Sequence, residues 1–345
     1  MAVSLDPRQV GTPKPRLSPG EGRSGADAIF RGLTYFSGFA IILLLVAVAM
    51  VLLFYSSEAI QKFGLSFISS DTWDASVDNK FGAWQFIFGT LTTSLIALLL
   101  ATPIAVGASL YISEYAPRWL ATPVSFVIEL LAAVPSVIFG FWALAVVVPI
   151  MYNVPNVKGA GPQGVMPFLH DLFKGWPVLG DIFGRITGSG RGYFTAGIVL
   201  AIMILPTIMS ISREIIKTVP PLQKEGMLAL GATKWETINK AVLPYARGGI
   251  IGGVGLGLGR ALGETMAVTM VIGGSVSAVG KGNLFTTGHT MASLVATQFN
   301  DAKAGLNLSA VVAVGLVLLL ISAIINAGSR LLVHFTAPDN ASLRN

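Results

Sequence analysis

Arg260 and Glu264 stand four residues apart in a stretch that is otherwise apolar and dense in glycine: Gly248-Gly-Ile-Ile-Gly-Gly-Val-Gly-Leu-Gly-Leu-Gly-Arg-Ala-Leu-Gly-Glu-Thr-Met-Ala-Val. On a helix this spacing places both side chains on one face. In lipid, a charge near the middle of that helix costs about 2.5–3.5 kcal/mol or more, so such residues turn toward a cavity or a partner. Two readings are open. The two residues form a structural ion pair that lowers its own burial cost, or Arg260 offers its planar fork of donors to an oxyanion such as phosphate. In the second reading Glu264 steadies the guanidinium when no anion is present and keeps anion binding weak enough for release. Glu129 is a third ionisable residue in an apolar stretch. It either pairs with Arg260 across the interior or sits near the end of its stretch in water.

Other chemistry has little to stand on. The chain has no cysteine, so disulfides and thiolate metal sites are excluded, and His170, His289 and His334 show no ligand spacing. The overlapping Gly-x-Gly patterns are not a dinucleotide fingerprint, because no strand precedes them. No nucleophile–base set, metal motif or Gly-x-x-x-x-Gly-Lys-Ser/Thr phosphate loop is present, so no enzyme activity, cofactor or ATP hydrolysis is expected of this chain itself.

The elements that must position these residues are membrane spans. Only 12% of the 345 residues are charged and 53% are hydrophobic, with a mean hydropathy of +0.72; soluble domains carry about a quarter charged residues. No charge occurs between Arg31 and Glu58, Lys80 and Glu114, Glu129 and Lys158, Arg191 and Arg213, or Lys303 and Arg330. Each gap is long enough for the roughly 20 residues that cross a bilayer core. Backbone groups in lipid must pair within their own segment, so each gap reads as a helix. Adding the glycine-rich stretch predicts six spans, at 36–56, 86–112, 123–151, 194–212, 248–274 and 308–333. Pro135 kinks the third. Residues 1–30, polar and proline-rich, read as a disordered tail ahead of a domain over 31–335, with a short tail at 336–345. The apolar run 36–55 is too long for a signal peptide and reads as an uncleaved first span.

Six spans put both termini on one side. If that side is the cytoplasm, fourteen basic residues lie inside and eight outside, which with Arg260 accounts for all 23. The positive-inside rule then favours cytoplasmic termini. Outside, residues 152–193 are broken by glycine and proline, with short apolar pieces near 167–173 and 178–183, and read as an interfacial lid, a docking surface or a solvated connector. Inside, residues 213–247 read as two short helices. Pro220 and Pro221 begin the first, Gly231 stops it, and a second from about 234 to 242 is closed by Pro244. Lys224, Lys234 and Lys240 read as solvated.

The spacing Glu225, Gly231, Leu243-Pro244 resembles the EAA loop of ABC importer permeases, with departures at Gly226, Met227 and Ala241. The run Gly259-Arg-Ala-Leu-Gly-Glu-Thr-Met-Ala-Val closely resembles the signature of the PstC family, membrane subunits of the phosphate ABC importer. Leu131-Ala-Ala-Val-Pro-Ser-Val-Ile-Phe-Gly is similar to that family too, and the resemblance extends over about 30–335. It implies an all-α membrane protein with a type I importer permease bundle in a bacterial or archaeal cell membrane. It also implies that Arg260 and Glu264 serve phosphate passage, and that Glu225, Gly231, Leu243 and Pro244 dock on a separate ATPase. The partners implied are a second permease subunit (PstA-like), an ATPase dimer (PstB-like) and an extracytoplasmic phosphate-binding protein (PstS-like). Phosphate over sulfate rests on that resemblance alone. A self-contained secondary transporter is the other alternative, disfavoured by the lack of an internal repeat or of several buried acids.

Overall fold

A computed structural model describes residues 25–74, 79–152, 164–186, 190–276 and 282–336. The tail predicted over 1–30 lies outside the described residues as far as 24, and helix has already begun at Gly25. Residues 337–345 of the second predicted tail also lie outside them. Five helices are long and apolar enough to cross a membrane, and a bent pair makes a sixth if counted as one span. In chain order these first to sixth spans are Asp27–Phe63, Trp84–Tyr115, Arg118–Ala133 with Ser136–Tyr152, Tyr193–Lys217, Lys234–Gly263 and Leu306–Thr336. The protein is thus a helical membrane bundle. Its only strands among the described residues are the two-residue pair Trp73–Asp74 and Lys80–Phe81.

The chain divides into two units, Met1–Met50 and Val51–Asn345. In the first, the described residues belong to one helix with Phe36, Ile42 and Leu45 exposed, an apolar surface suited to acyl chains. In the second, the fourth span is the hub, packing against the second and fifth spans and both arms of the third. Small residues permit this, since helices in lipid associate by close approach and interhelical hydrogen bonds. Ala97, Ala101 and Ala105 of the second span are fully buried. The Ser109 hydroxyl donates 2.9 Å to the Met209 carbonyl of the fourth.

The fifth span uses glycine on two sides. A Cβ on Gly249, Gly253 or Gly257 would lie 2.5, 3.0 or 2.7 Å from Ile215, Ile211 or Ile208 of the fourth span. A Cβ on Gly252, Gly255 or Gly259 would instead meet Val333, Ser329 or Asn326 of the sixth span at 3.7, 2.9 or 3.1 Å. Two sets of glycines on one helix therefore face two different helices.

The third span departs from a single kinked helix: its arms meet at 95°. Pro135 has no N–H to give the Leu131 carbonyl, and its ring pushes Val134 out of helical geometry. Val134 and Pro135 accordingly have ψ of 130° and 139°. At 1.5 Å per residue, the 16-residue first arm is about 24 Å long, short of a 30 Å hydrocarbon core.

Outside the spans, the two apolar pieces of the stretch 152–193 form the helices Val165–Phe173 and Leu179–Ile182. The Leu284 N–H donates to the Ile182 carbonyl and the Phe194 N–H to that of Leu284, both at 2.9 Å. Phe183 stacks on Phe173 at 4.9 Å and packs against Phe285. The described part, 164–186, is thus packed onto the bundle and is no solvated connector; residues 153–163 and 187–189 lie outside the described residues.

Gly257→Leu should drive the fourth and fifth spans apart at an overpacking cost of about 1–3 kcal/mol. Its unfolding midpoint in detergent should fall, whereas Gly263→Ala, with nothing within 4 Å of the added carbon, should keep the wild-type midpoint. Equal midpoints for Gly257→Leu and wild type would contradict the close packing described.

Candidate functional site

Arg260 continues the glycine row that faces the fourth span. Gly249, Gly253 and Gly257 recur at helical spacing, and the next position on that face brings the guanidinium to the fourth span, where Nη1 donates 3.3 Å to Thr207 Oγ1. Thr207 follows Pro206, which lies inside the fourth helix and is buried. Proline deprives the carbonyl four residues earlier of its partner, so polar backbone as well as the Thr207 hydroxyl lies in this part of the bundle. Arg260 itself is half-buried.

Glu264 is not on the helix that carries Arg260. The helix ends at Gly263, and Glu264 is extended, with φ −69° and ψ 127°. Its Oε1 accepts from the Ala267 N–H at 3.2 Å, at the start of the next short helix, Met266–Ile272. The expectation of a shared helical face fails here because the break falls between the two residues. No ion pair joins Arg260 to Glu264, or Arg260 to Glu129, among the described residues. A half-buried cation facing a neutral hydroxyl thus has no carboxylate paired to it among the described residues.

The loop between the fourth and fifth spans holds the other expected residues. Pro221 starts the helix Pro221–Ala229, on which Glu225 is exposed. The helix stops at Gly231, φ +82°. The Gly231 N–H donates to the Leu228 carbonyl at 3.0 Å and the Ala232 N–H to that of Met227 at 3.1 Å. This is the paired hydrogen-bond pattern of a glycine-terminated helix. Thr233 then caps the next helix reciprocally with Glu236.

Pro244 does not close that second helix. Helix continues through Lys234–Thr237, a π-helical turn at Ile238–Val242, and Leu243–Gly263. The wider turn makes room for the proline ring, which would clash in a regular helix. Leu243 packs against the buried cluster of Ile216, Val219, Val242, Ala246 and Ile250. Pro244 is exposed and borders a groove of about 620 Å³ with Leu222, Met227, Leu230 and Tyr245.

Two of the lysines read as solvated are engaged. Lys224 Nζ forms an ion pair with Glu114 at the end of the second span. Lys234 donates to the Glu114 carbonyl at 3.4 Å and lies 5.2 Å from the Tyr115 ring centre. Arg213 and Glu129 form the second group missed: Arg213 Nη2 donates to Glu129 Oε1 at 3.0 Å and to Glu214 Oε1 at 2.8 Å. The available signal was the cost of ionisable residues in apolar helices, which obliges Glu129 to find a cation or water; it has both, its side chain being 55% exposed.

Comparison with known proteins agrees with this architecture. The family model described as "Binding-protein-dependent transport system inner membrane component" matches residues 102–336. A Xylella fastidiosa protein named phosphate transport system permease protein PstC is 41% identical over 333 residues, covering 96% of this chain and 97% of that one. The protein of the same name from Pasteurella multocida is 42% identical over 89% of this chain and 91% of its own length. PstC 2 of Mycobacterium tuberculosis is 37% identical over 88% and 90%. A chain of a bacterial alginate ABC transporter, crystallised with an alginate-bound periplasmic protein, is similar in fold with a TM-score of 0.57. It is 14% identical, and the match covers 92% of this chain and 99% of that one. The chain belongs to the family of binding-protein-dependent transport system inner membrane components.

Proposed function

We propose that this chain is one of two membrane-spanning permease subunits of an ATP-driven importer of inorganic phosphate. The observation that carries the reading is 41% identity over 96% of the chain to a phosphate transport permease. The half-buried cation Arg260, with no carboxylate paired to it among the described residues, supports it chemically. As a permease, the chain is a transport subunit, and ATP hydrolysis belongs to a separate subunit. Its partners are another permease, an ATPase pair and an extracytoplasmic binding protein; the PstA-, PstB- and PstS-like proteins fit these places. Both termini then face the cytoplasm, in accord with the excess of Lys and Arg on that side.

In this cycle the binding protein releases phosphate at the external face. The ATPase pair closes on ATP and moves the exposed helix Pro221–Ala229 of the loop, with Glu225 and Gly231 at the docking surface. Motion passes to the fifth span through Leu243 and Pro244, because helix is unbroken from Lys234 to Gly263. Arg260 is exposed outward and then inward, holding the oxyanion through parallel N–H donors. Binding there is weak enough for release, since passage requires both entry and exit. Glu264 is extended beside the break, near enough in sequence to repel an anion that lingers.

Two measurements test the scheme in proteoliposomes of the whole complex. Arg260→Gln should lower ATP-dependent phosphate uptake about 10- to 100-fold, the worth of hydrogen bonds to a charged group, with complex assembly unchanged. Arg260→Lys should recover part of it, having the charge without the fork. Wild-type uptake in Arg260→Gln would remove Arg260 from the mechanism. Gly231→Val forces a β-branched residue to positive φ, costing about 1–2 kcal/mol, and should leave ATP hydrolysis running while phosphate moved per ATP falls. A wild-type ratio in that variant would count against the docking role.

A further inference from the structure

A polar cavity lies at the end of the bundle that carries the loop, and Arg260 is not among its lining residues. It encloses about 540 Å³ between the end of the second span, the first arm of the third and the end of the fourth. Its charged lining residues are Arg118, Lys217 and Arg213, against one carboxylate, Glu129; Ser113 and Ser125 add hydroxyls. Glu214 pairs with Arg213 at 2.8 Å and with Lys217 at 3.3 Å, so Arg118 is the lining cation with no carboxylate paired to it among the described residues, and an anion in the cavity would compensate it.

The wall also holds polar atoms with no hydrogen-bond partner among the described residues. Arg213 is only 8% exposed, and its hydrogen bonds to Glu129 and Glu214 both leave from Nη2. Its Nε is buried without a partner, as is the Ser113 hydroxyl. A buried donor left unpaired costs roughly what a hydrogen bond is worth, so both atoms gain if the wall rearranges to bring a water or a ligand oxygen within reach. A guanidinium, a second arginine, an ammonium and hydroxyls together are donors for a tetrahedral oxyanion rather than for a planar or apolar ligand.

We propose that this cavity binds a phosphate group. Two sources have that chemistry: free inorganic phosphate and the headgroup of an anionic phospholipid, which basic pockets between spans recognise at a membrane face. Binding makes Arg213 exchange a shared carboxylate for the ligand and supplies the exposed Arg118 with its counter-charge. The proposal rests on this cavity alone and stands whether or not Arg260 carries phosphate.

The absence of cysteine makes a site-specific test clean, because Thr122→Cys puts a lone thiol among the lining residues. The complex carrying it is alkylated with a neutral maleimide under two sets of conditions. In lipid-depleted detergent, phosphate is compared with chloride at equal ionic strength. In nanodiscs without phosphate, phosphatidylglycerol is compared with phosphatidylcholine. Protection by phosphate in detergent identifies the free anion, and protection by phosphatidylglycerol in nanodiscs identifies the headgroup. In either case Arg118→Gln should weaken protection about tenfold, by loss of a charge-assisted contact, while Arg260→Gln leaves it unchanged. Equal alkylation rates in all conditions would overturn the proposal. So would protection that survives both Arg118→Gln and Arg213→Lys, or that disappears with Arg260→Gln.

Discussion

The architecture depends on how closely the fifth span can approach its neighbours. Where Gly249, Gly253 and Gly257 meet isoleucines of the fourth span, even a methyl group would lie 2.5–3.0 Å from a side-chain carbon. Lipid offers no hydrophobic drive to hold helices together, so contact area and shape must do it. Glycine permits that contact but lowers helix stability by about 1 kcal/mol relative to alanine at each position. Packing on two sides, against the fourth and the sixth spans, offsets this loss. The same approach sets Arg260 against Thr207, because the cation occupies the next position of the row.

Charge is handled differently at the two levels of the bundle. Arg260, in the interior, meets a hydroxyl and no carboxylate. Near the loop, Arg213 is tied to Glu129 and Glu214, and Lys224 to Glu114. The second group joins separate parts of the chain: Glu114 at the end of the second span receives Lys224 and Lys234 of the loop that the fifth span extends. Its contacts make the loop part of the bundle rather than a free connector. The Lys224 and Glu114 side chains are only 23% and 16% exposed, and the cost of desolvating both charges offsets much of their attraction, so the pair's value lies more in fixing the loop's direction than in stability.

Periodic features of the sequence were legible because they follow from one helix at a time. The charge-free gaps located most of the spans, and Gly231 marked a helix end whose positive φ the structure bears out. Features set by two elements at once were not. Pro244 reads as a stop, yet the π turn before it lets the helix pass, and that turn packs Ile238 and Val242 into a buried position. Glu264 reads as a partner of Arg260 until the helix ends one residue before it. Pro135 signals a kink, but the 95° angle depends on what each arm packs against, Ser136–Trp142 lying on Met266–Ile272. Arg213 counted only as a cation on one side of the membrane, since nothing local says that Glu129, 84 residues earlier, lies 3.0 Å away.

The unbroken helix from Lys234 to Gly263 has a mechanical consequence. In the proposed cycle the end of the loop from Lys234 onward and the cation share one rod, with the glycine contacts centred on Gly253 as its fulcrum. From Trp235 to Gly253 is 18 residues and from Gly253 to Arg260 is seven, so at 1.5 Å per residue the arms are about 27 Å and about 10 Å. A push of about 3 Å at the loop becomes a swing of about 1 Å, in the opposite direction, at the guanidinium. On that proposal the rod is geared down: it trades travel at the surface for force at the centre. A displacement that small suffices to make or break a hydrogen bond, whose useful range is only a few tenths of an ångström wide.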